Sequence, residues 1–534
     1  MPVLLRVGSF PLFFTPLSHK IESGYCDPVL SAQGGESSLV RAVRKALRGW
    51  RCVMQYGLKV FAVLVCLFLL VGCGGDPNEE LIAASEAGNV EKVQSLLGKD
   101  VNLSVQTSEG KTPLMLASEQ GHLQVVEALL AVEAPWDAQD RSGRTALALA
   151  VIAGQNEVVK KLLEKGANVD FADLDGLTPV MHAAENGLGA TLDILLEAGA
   201  STDATDAQGR TPLIWAASSG DTSSLSSLLE KGAVLEVTDN DGRTALTHAA
   251  LRGQPGTMKI LLEKGSDQAT TGKDGRTALI LAAMQGNAEG VAVLLDAGAD
   301  PESVGKDGRT GLLLAASNGH SETVKLLVEK GAKVNTRDGN RRTALMWAAH
   351  NGSAEVVKVL LDSGAKTGLS AKDGGTALMS AARQGHLEAV KLLLEGGEDV
   401  DAREQIGWTA LIAAASNGHT EAVLALLEAG ADPSFKADGG WNALIGSAAH
   451  GDLKAVKALL EKGAEVDLAD DNQATPLMHA ATQGRVEVVK ALLDAGADRG
   501  IQDVMGKTAE GYAADKAHKD VVSVLKGESA GAVQ

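Results

Sequence analysis

The chain has 534 residues, 45% hydrophobic but only 3% aromatic, and a formal net charge of −19. Residues 1–72 hold 8 basic and 3 acidic side chains, so the remainder carries 41 against 65, or −24. That balance works against nucleic-acid or anionic-lipid binding by the remainder, since phosphates need a basic footprint. The four cysteines, Cys26, Cys52, Cys66 and Cys73, lie near the start, so the rest of the chain has no disulfide or thiolate zinc site and folds alike in either redox compartment.

Residues 1–53 show no repeat and no clear periodicity. They read as upstream sequence added by a misplaced start, with Met54 as the true start; a cytosolic extension is the alternative. Residues 60–72 form a 13-residue apolar run behind Lys59. It is too short for a membrane span of about 20 residues and suits a signal-peptide core. The run ends in Leu70-Val71-Gly72-Cys73, which resembles the lipobox of bacterial lipoproteins. The resemblance implies cleavage before Cys73, a lipid on its thiol and a lipid-anchored protein facing the periplasm. Gly74 in place of Asp directly after the Cys leans to the outer membrane over the inner. The linker 73–78 reaches roughly 20 Å when extended, so the following array is held near the bilayer.

From residue 79 onward one register governs the chain. A threonine recurs every 33 residues: Thr112, Thr145, Thr178, Thr211, Thr244, Thr277, Thr310, Thr343, Thr376 and Thr409, then Asn442, Thr475 and Thr508. Most units share Gly two before it, Pro or Ala one after, Leu two after, Ala five after and Gly nine after. A fixed period in this range predicts a solenoid whose units bury their apolar faces only by stacking. Within one unit, Asp206-Ala207-Gln208-Gly209-Arg210 reads as a hairpin tip, and Thr211-Pro212 as an N-cap and first helical residue. Gly220 ends that helix, and Leu225, Leu228 and Leu229 give the apolar face of a second.

Thr211-Pro212-Leu213-Ile214-Trp215-Ala216-Ala217 and Thr475-Pro476-Leu477-Met478-His479-Ala480-Ala481 resemble the ankyrin repeat. The resemblance implies an all-α solenoid with short β-hairpin loops and about 14 helix pairs. A capping pair falls at 79–103, twelve repeats at 104–501, a C-terminal cap at 502–528 and a tail at 529–534. The family His three after the Thr is never present, so its hydrogen bond to the hairpin must come from elsewhere. Arg341 and Gln473 replace the tip Gly, and Asp100 and Glu133 replace the Gly of Gly-Ala; these four mark expected distortions of the ladder.

No catalytic constellation can be made out. Asp239-Asn240-Asp241-Gly242 resembles the start of a calcium loop, but position 12 is Ala250 rather than Glu, so it reads as a turn. His182, His248 and His479 share a register position but sit units apart, so no metal and no cofactor is expected. In the implied fold the residue before each Thr, and those seven and eight after it, line a concave groove. The first set runs Arg210, Arg243, Arg276, Arg309, Arg342, then Gly375, Trp408 and Trp441. The arginines form either a binding stripe or one neutralised by Asp241, Asp274 and Asp307. Arg and Trp are enriched at interface hot spots. His350, Asn351 and Arg383 extend the groove, whereas Trp215 and Trp347 read as packing residues. The expected function is a membrane-tethered, non-catalytic scaffold, monomeric and without a small-molecule substrate, that binds a protein partner in the groove. An inhibitor or immunity lipoprotein and a cytosolic adaptor are the alternatives.

Overall fold

A computed structural model of the chain describes residues 76–527. Cys73, the apolar run 60–72 and the segment 1–53 lie outside the described residues. Those described contain 14 antiparallel helix pairs, from Pro77–Glu86 with Val90–Leu97 to Ala509–Asp515 with Lys519–Lys526. None of the helices is long and apolar enough to cross a membrane.

The recurrent threonine is the N-cap of every first helix after the opening pair, apart from Asn442. Thr112 has an extended backbone and its hydroxyl accepts the Met115 N–H at 3.3 Å. Thr145 does the same for Ala148 at 3.3 Å. Such a cap is worth about 1 kcal/mol per helix. Thr178 is the exception, with a buried hydroxyl that has no partner. Asn442 is a richer cap: its Oδ1 accepts the Ile445 N–H at 2.9 Å while its Nδ2 donates to the Leu468 carbonyl at 2.9 Å. Asn442→Ala, which loses both, is expected to destabilise the array by about 2 kcal/mol, read by chemical denaturation.

One apolar cluster runs unbroken from Leu81 to Leu525. Its inner layer is small: Ala216-Ala217, Ala249-Ala250 and Ala282-Ala283 are fully buried between successive first helices. Alanine at these sites lets the first helices approach closely, and Leu225, Leu228, Leu261 and Leu294 of the second helices seal the outer side. Because each unit packs only on its neighbours, stability is a sum of local units and junctions.

The hairpin tips are turns closed by a few bonds. Asp140 N–H donates to the Arg144 carbonyl, and the Asp140 carbonyl accepts Gly143 N–H, each at 3.0 Å. With so short a stem, only the isolated bridges Val304–Thr310 and Arg337–Thr343 pair in the β manner. A further backbone bond links each tip to the next, as from Arg141 N–H to the Glu109 carbonyl and from Lys372 N–H to the Asn340 carbonyl. Among the described residues that link is missing where Asp307 meets Gly339.

Three expected distortions take an unexpected form. Glu133, Arg341 and Gln473 keep the left-handed backbone of the glycines they replace, with φ of 57°, 61° and 61°, and their turn bonds stay intact. The consequence is backbone strain at all three sites, and at Arg341 the same tip also lacks its link to the preceding one, at Gly339. Asp100 differs: Gly98 ends that helix in a right-handed conformation, and the loop follows another path. Ala517, in the place of the helix-ending glycine, is a further left-handed site, φ 58°. Arg341→Gly and Gln473→Gly are each expected to stabilise the array by about 1 kcal/mol, less the entropy that glycine adds to the unfolded chain. Equilibrium denaturation of the single variants checks this.

Candidate functional site

The groove is organised by a residue outside the set expected to line it. Five positions before the capping threonine, many units carry an aspartate: Asp140, Asp206, Asp338, Asp470 and Asp503 are buried, all under a tenth exposed, and Asp173 is partly buried. Oδ1 of Asp338 accepts the N–H groups of Asn340 and Arg342, at 2.9 and 2.8 Å, which locks the turn. Oδ2 then takes a donor from the first helix, four after the threonine. That donor is His182 to Asp173 at 2.9 Å, Trp215 to Asp206 at 3.2 Å, His248 to Asp239 at 2.7 Å, Trp347 to Asp338 at 3.1 Å and His479 to Asp470 at 3.0 Å. Tyr512 does the same for Asp503. The helix-to-hairpin bond expected from the missing histidine is thus made one residue later, often by another side chain. Trp215 and Trp347 pack, as expected, but also hold the tip.

This arrangement decides the fate of each groove arginine. Arg210 bonds Asp206 at 2.7 Å and stacks on Trp215 at 3.9 Å, so its charge is spent at home. In the next tip the Asp239 side chain is taken by His248, and in the one after it Gly272 replaces the aspartate. There the arginines reach one tip onward instead, Arg243 to Asp274 at 3.5 Å and Arg276 to Asp307 at 3.4 Å. Arg309 and Arg342 behave differently. Among the described residues neither has a carboxylate within salt-bridge distance, and both stand over the Trp347 indole, at 4.2 and 5.1 Å from its centroid. The stripe is therefore self-neutralised from 210 to 276 and uncompensated at 309 and 342.

Beyond Arg342 the groove opens. Gly375 occupies the stripe position and Ser380 the place of the Trp347-type donor. The missing side chains leave a small open cleft walled by Arg342, Trp347, His350 and Arg383, with Met346 and Met379 also lining it. Arg383 bonds the buried Glu404 of the next tip at 2.8 Å, and Asp373 accepts the Gly375 N–H at 3.0 Å. Burial, then the charges of Arg342, His386 and Arg383, hold the His350 imidazole below its ordinary pKa, so near neutral pH it is uncharged. A second cleft shares Arg383 and Asp373 and is lined by Ile406 and Trp408.

The remaining expected groove residues separate. Trp441 donates to Ser416 Oγ at 2.8 Å and meets the His479 ring edge-on at 5.2 Å, so it is tied into the scaffold. Trp408 is half-buried, with Arg383 at 6.0 Å from its centroid, and keeps a face toward the cleft. Asn351 donates to the Ser317 carbonyl of the preceding unit and acts as a stitch. His122, His320, His386 and His419 are stitches too, each placing Nε2 3.0–3.1 Å from a carbonyl one unit back. No group of three His, Cys, Asp or Glu side chains placed to hold a metal occurs among the described residues.

A family model for ankyrin repeats matches in successive copies over residues 81–173, 167–239, 216–305, 297–371, 363–437 and 444–532, which together span nearly all of the described array. The chain belongs to the ankyrin-repeat family. No curated protein matches it significantly. Ankyrin repeats are protein-interaction scaffolds, and this ankyrin array is one.

Proposed function

We propose that this ankyrin protein is a non-catalytic scaffold held at a bacterial envelope membrane by a lipid on Cys73, and that it captures a protein partner in the concave groove between units 309 and 441. The groove assignment rests on one observation above all. Arg309 and Arg342 stand over Trp347 and, among the described residues, have no carboxylate within salt-bridge distance, in an otherwise acidic protein. Charge left unpaired in a half-buried groove is an unmet interaction that a partner relieves. The envelope placement rests on the lipobox-like Leu70-Val71-Gly72-Cys73 at the end of its apolar run.

Cross-linking with mass spectrometry on native membranes tests the scaffold role, with a photo-reactive residue at position 408. The expected result is a discrete adduct from the groove and none from the second helices on the opposite face, for example at Lys358. Adducts from both faces alike count against the groove. Separately, Cys73→Ala is expected to leave the membrane fraction; if it stays with the membrane, an uncleaved apolar anchor replaces the lipid.

A further inference from the structure

We infer that the cleft beside Trp347 is a receptor for an acidic side chain of an extended partner segment, with a large apolar residue of that segment seated one unit further, on Trp408 and Ile406. This rests on the groove reading above and gives it a chemical class.

The cleft exists because two side chains are missing from the register. Arg210, Arg243, Arg276, Arg309 and Arg342 fill the stripe position in five successive units, and the next unit has Gly375. Its φ is not in the left-handed region, and a Cβ there would meet nothing closer than Asp373 Oδ1 at 3.2 Å. The backbone therefore does not require glycine; the open space follows from its being there.

The walls favour a carboxylate. A guanidinium stacked on an indole spends its face on the ring and keeps its in-plane N–H groups for an oxyanion, the geometry of bidentate carboxylate recognition. Arg342 stands over the Trp347 ring at the cleft, 5.1 Å from its centroid, and Arg309 beside it at 4.2 Å. Against them stands Asp373, already accepting the Gly375 N–H, while Glu404 is taken by Arg383. Counting Asp338 behind Trp347, three carboxylates match Arg309, Arg342 and Arg383 in number. The cleft therefore offers the unpaired N–H groups of Arg342 to a single carboxylate and has no excess of positive charge for a polyphosphate backbone. The net −24 outside residues 1–72 repels nucleic acid over any longer reach.

The neighbouring cleft sets the second contact. It shares Arg383 and Asp373 with the first, and Ile406 at its rim is 51% exposed, one of few large apolar side chains left so open. Packed helices lie about 8–10 Å apart, and an extended chain advances roughly 3.3 Å per residue, so about three residues separate the acidic and apolar positions.

The test uses the full chain and a fluorescein-labelled Ser/Gly peptide carrying Glu and, three residues later, Leu, followed by anisotropy. Arg342→Gln and Gly375→Leu, which fills the cleft without charge, are each expected to weaken binding at least tenfold, as is Gln for Glu in the peptide. Arg210→Gln, at a self-neutralised site, is expected to leave it unchanged. Equal binding of the Gln peptide, no loss in Gly375→Leu, or an equal loss in Arg210→Gln overturns the proposal. So does displacement of the peptide by inorganic phosphate at matched concentration, which marks an unspecific anion site. If the native partner cross-links from position 408 while the Glu peptide ignores Arg342, the acidic class falls and the groove reading stands. If neither occurs, both fall.

Discussion

Glu398→Ala is expected to raise the stability of the folded array by about 3 kcal/mol at pH 8 and by little at pH 4. Glu398 stands where neighbouring units have Ala365 and Ala431, after the glycine that ends the second helix, and it is only 6% exposed. Its Oε1 accepts the Leu378 N–H at 3.0 Å, but Oε2 is buried with no partner. Burial pushes its carboxyl up from 4.5 to about 7, with Asp399 adding a smaller push, against the opposing bonds from Thr376 and Leu378. An acid whose folded pKa is raised leaves stability intact while both states are protonated. As pH climbs past 4.5 the unfolded chain ionises and the folded one does not, so stability falls until about pH 7 and stays low above it. Glu398→Gln should flatten the same profile. Denaturation midpoints at the two pH values check both variants; an equal gain at both would show that packing, and not charge burial, is at issue.

The second large effect concerns Asp338→Ala, expected to cost about 3 kcal/mol and to abolish groove binding. It strands three donors: the N–H groups of Asn340 and Arg342 and the Trp347 indole N–H. Unmade bonds to buried donors cost about 1–3 kcal/mol each, and partial solvation of the tip trims the sum. The chain itself supplies the control. Units with Gly272 or Gly305 at this position carry Leu281 or Leu314, which have no donor, at the position matching Trp347. Asp338→Gly combined with Trp347→Leu should therefore cost less than the two singly, with a coupling of about 1–2 kcal/mol in a double-mutant cycle. Strict additivity would mean that the bond contributes nothing.

These two sites mark how far the sequence could be followed. The 33-residue threonine register, the helix-ending glycines and the Leu pairs are local signals, set by capping and turn chemistry, so helices, unit boundaries and the buried alanines were all legible. The pairing of Asp338 with Trp347 was also present in the sequence, since His, Trp or Tyr four after a threonine always accompanies an aspartate five before it. It lies one residue later than the position usual for the family's histidine, so the family pattern does not point to it. Glu398 was likewise visible as a break in the Gly-Ala pattern, but its burial and its orphaned oxygen depend on how successive units pack.

The sequence by itself determined a one-dimensional array and a row of arginines on one edge of it. Only the tertiary structure decided which arginines are free. Arg210, Arg243, Arg276, Arg309 and Arg342 share one register position and one residue type, so nothing local separates them. Apart from Arg210, which bonds Asp206 of its own tip, the partners lie across unit junctions: Asp274 and Asp307 fall within reach of the preceding arginine, whereas Asn340 takes that place after Arg309, and Asp373, in that place after Arg342, forms no ion pair with it. Coulomb pairing needs carboxylates within about 4 Å, and that distance is set by stacking, not by spacing along the chain.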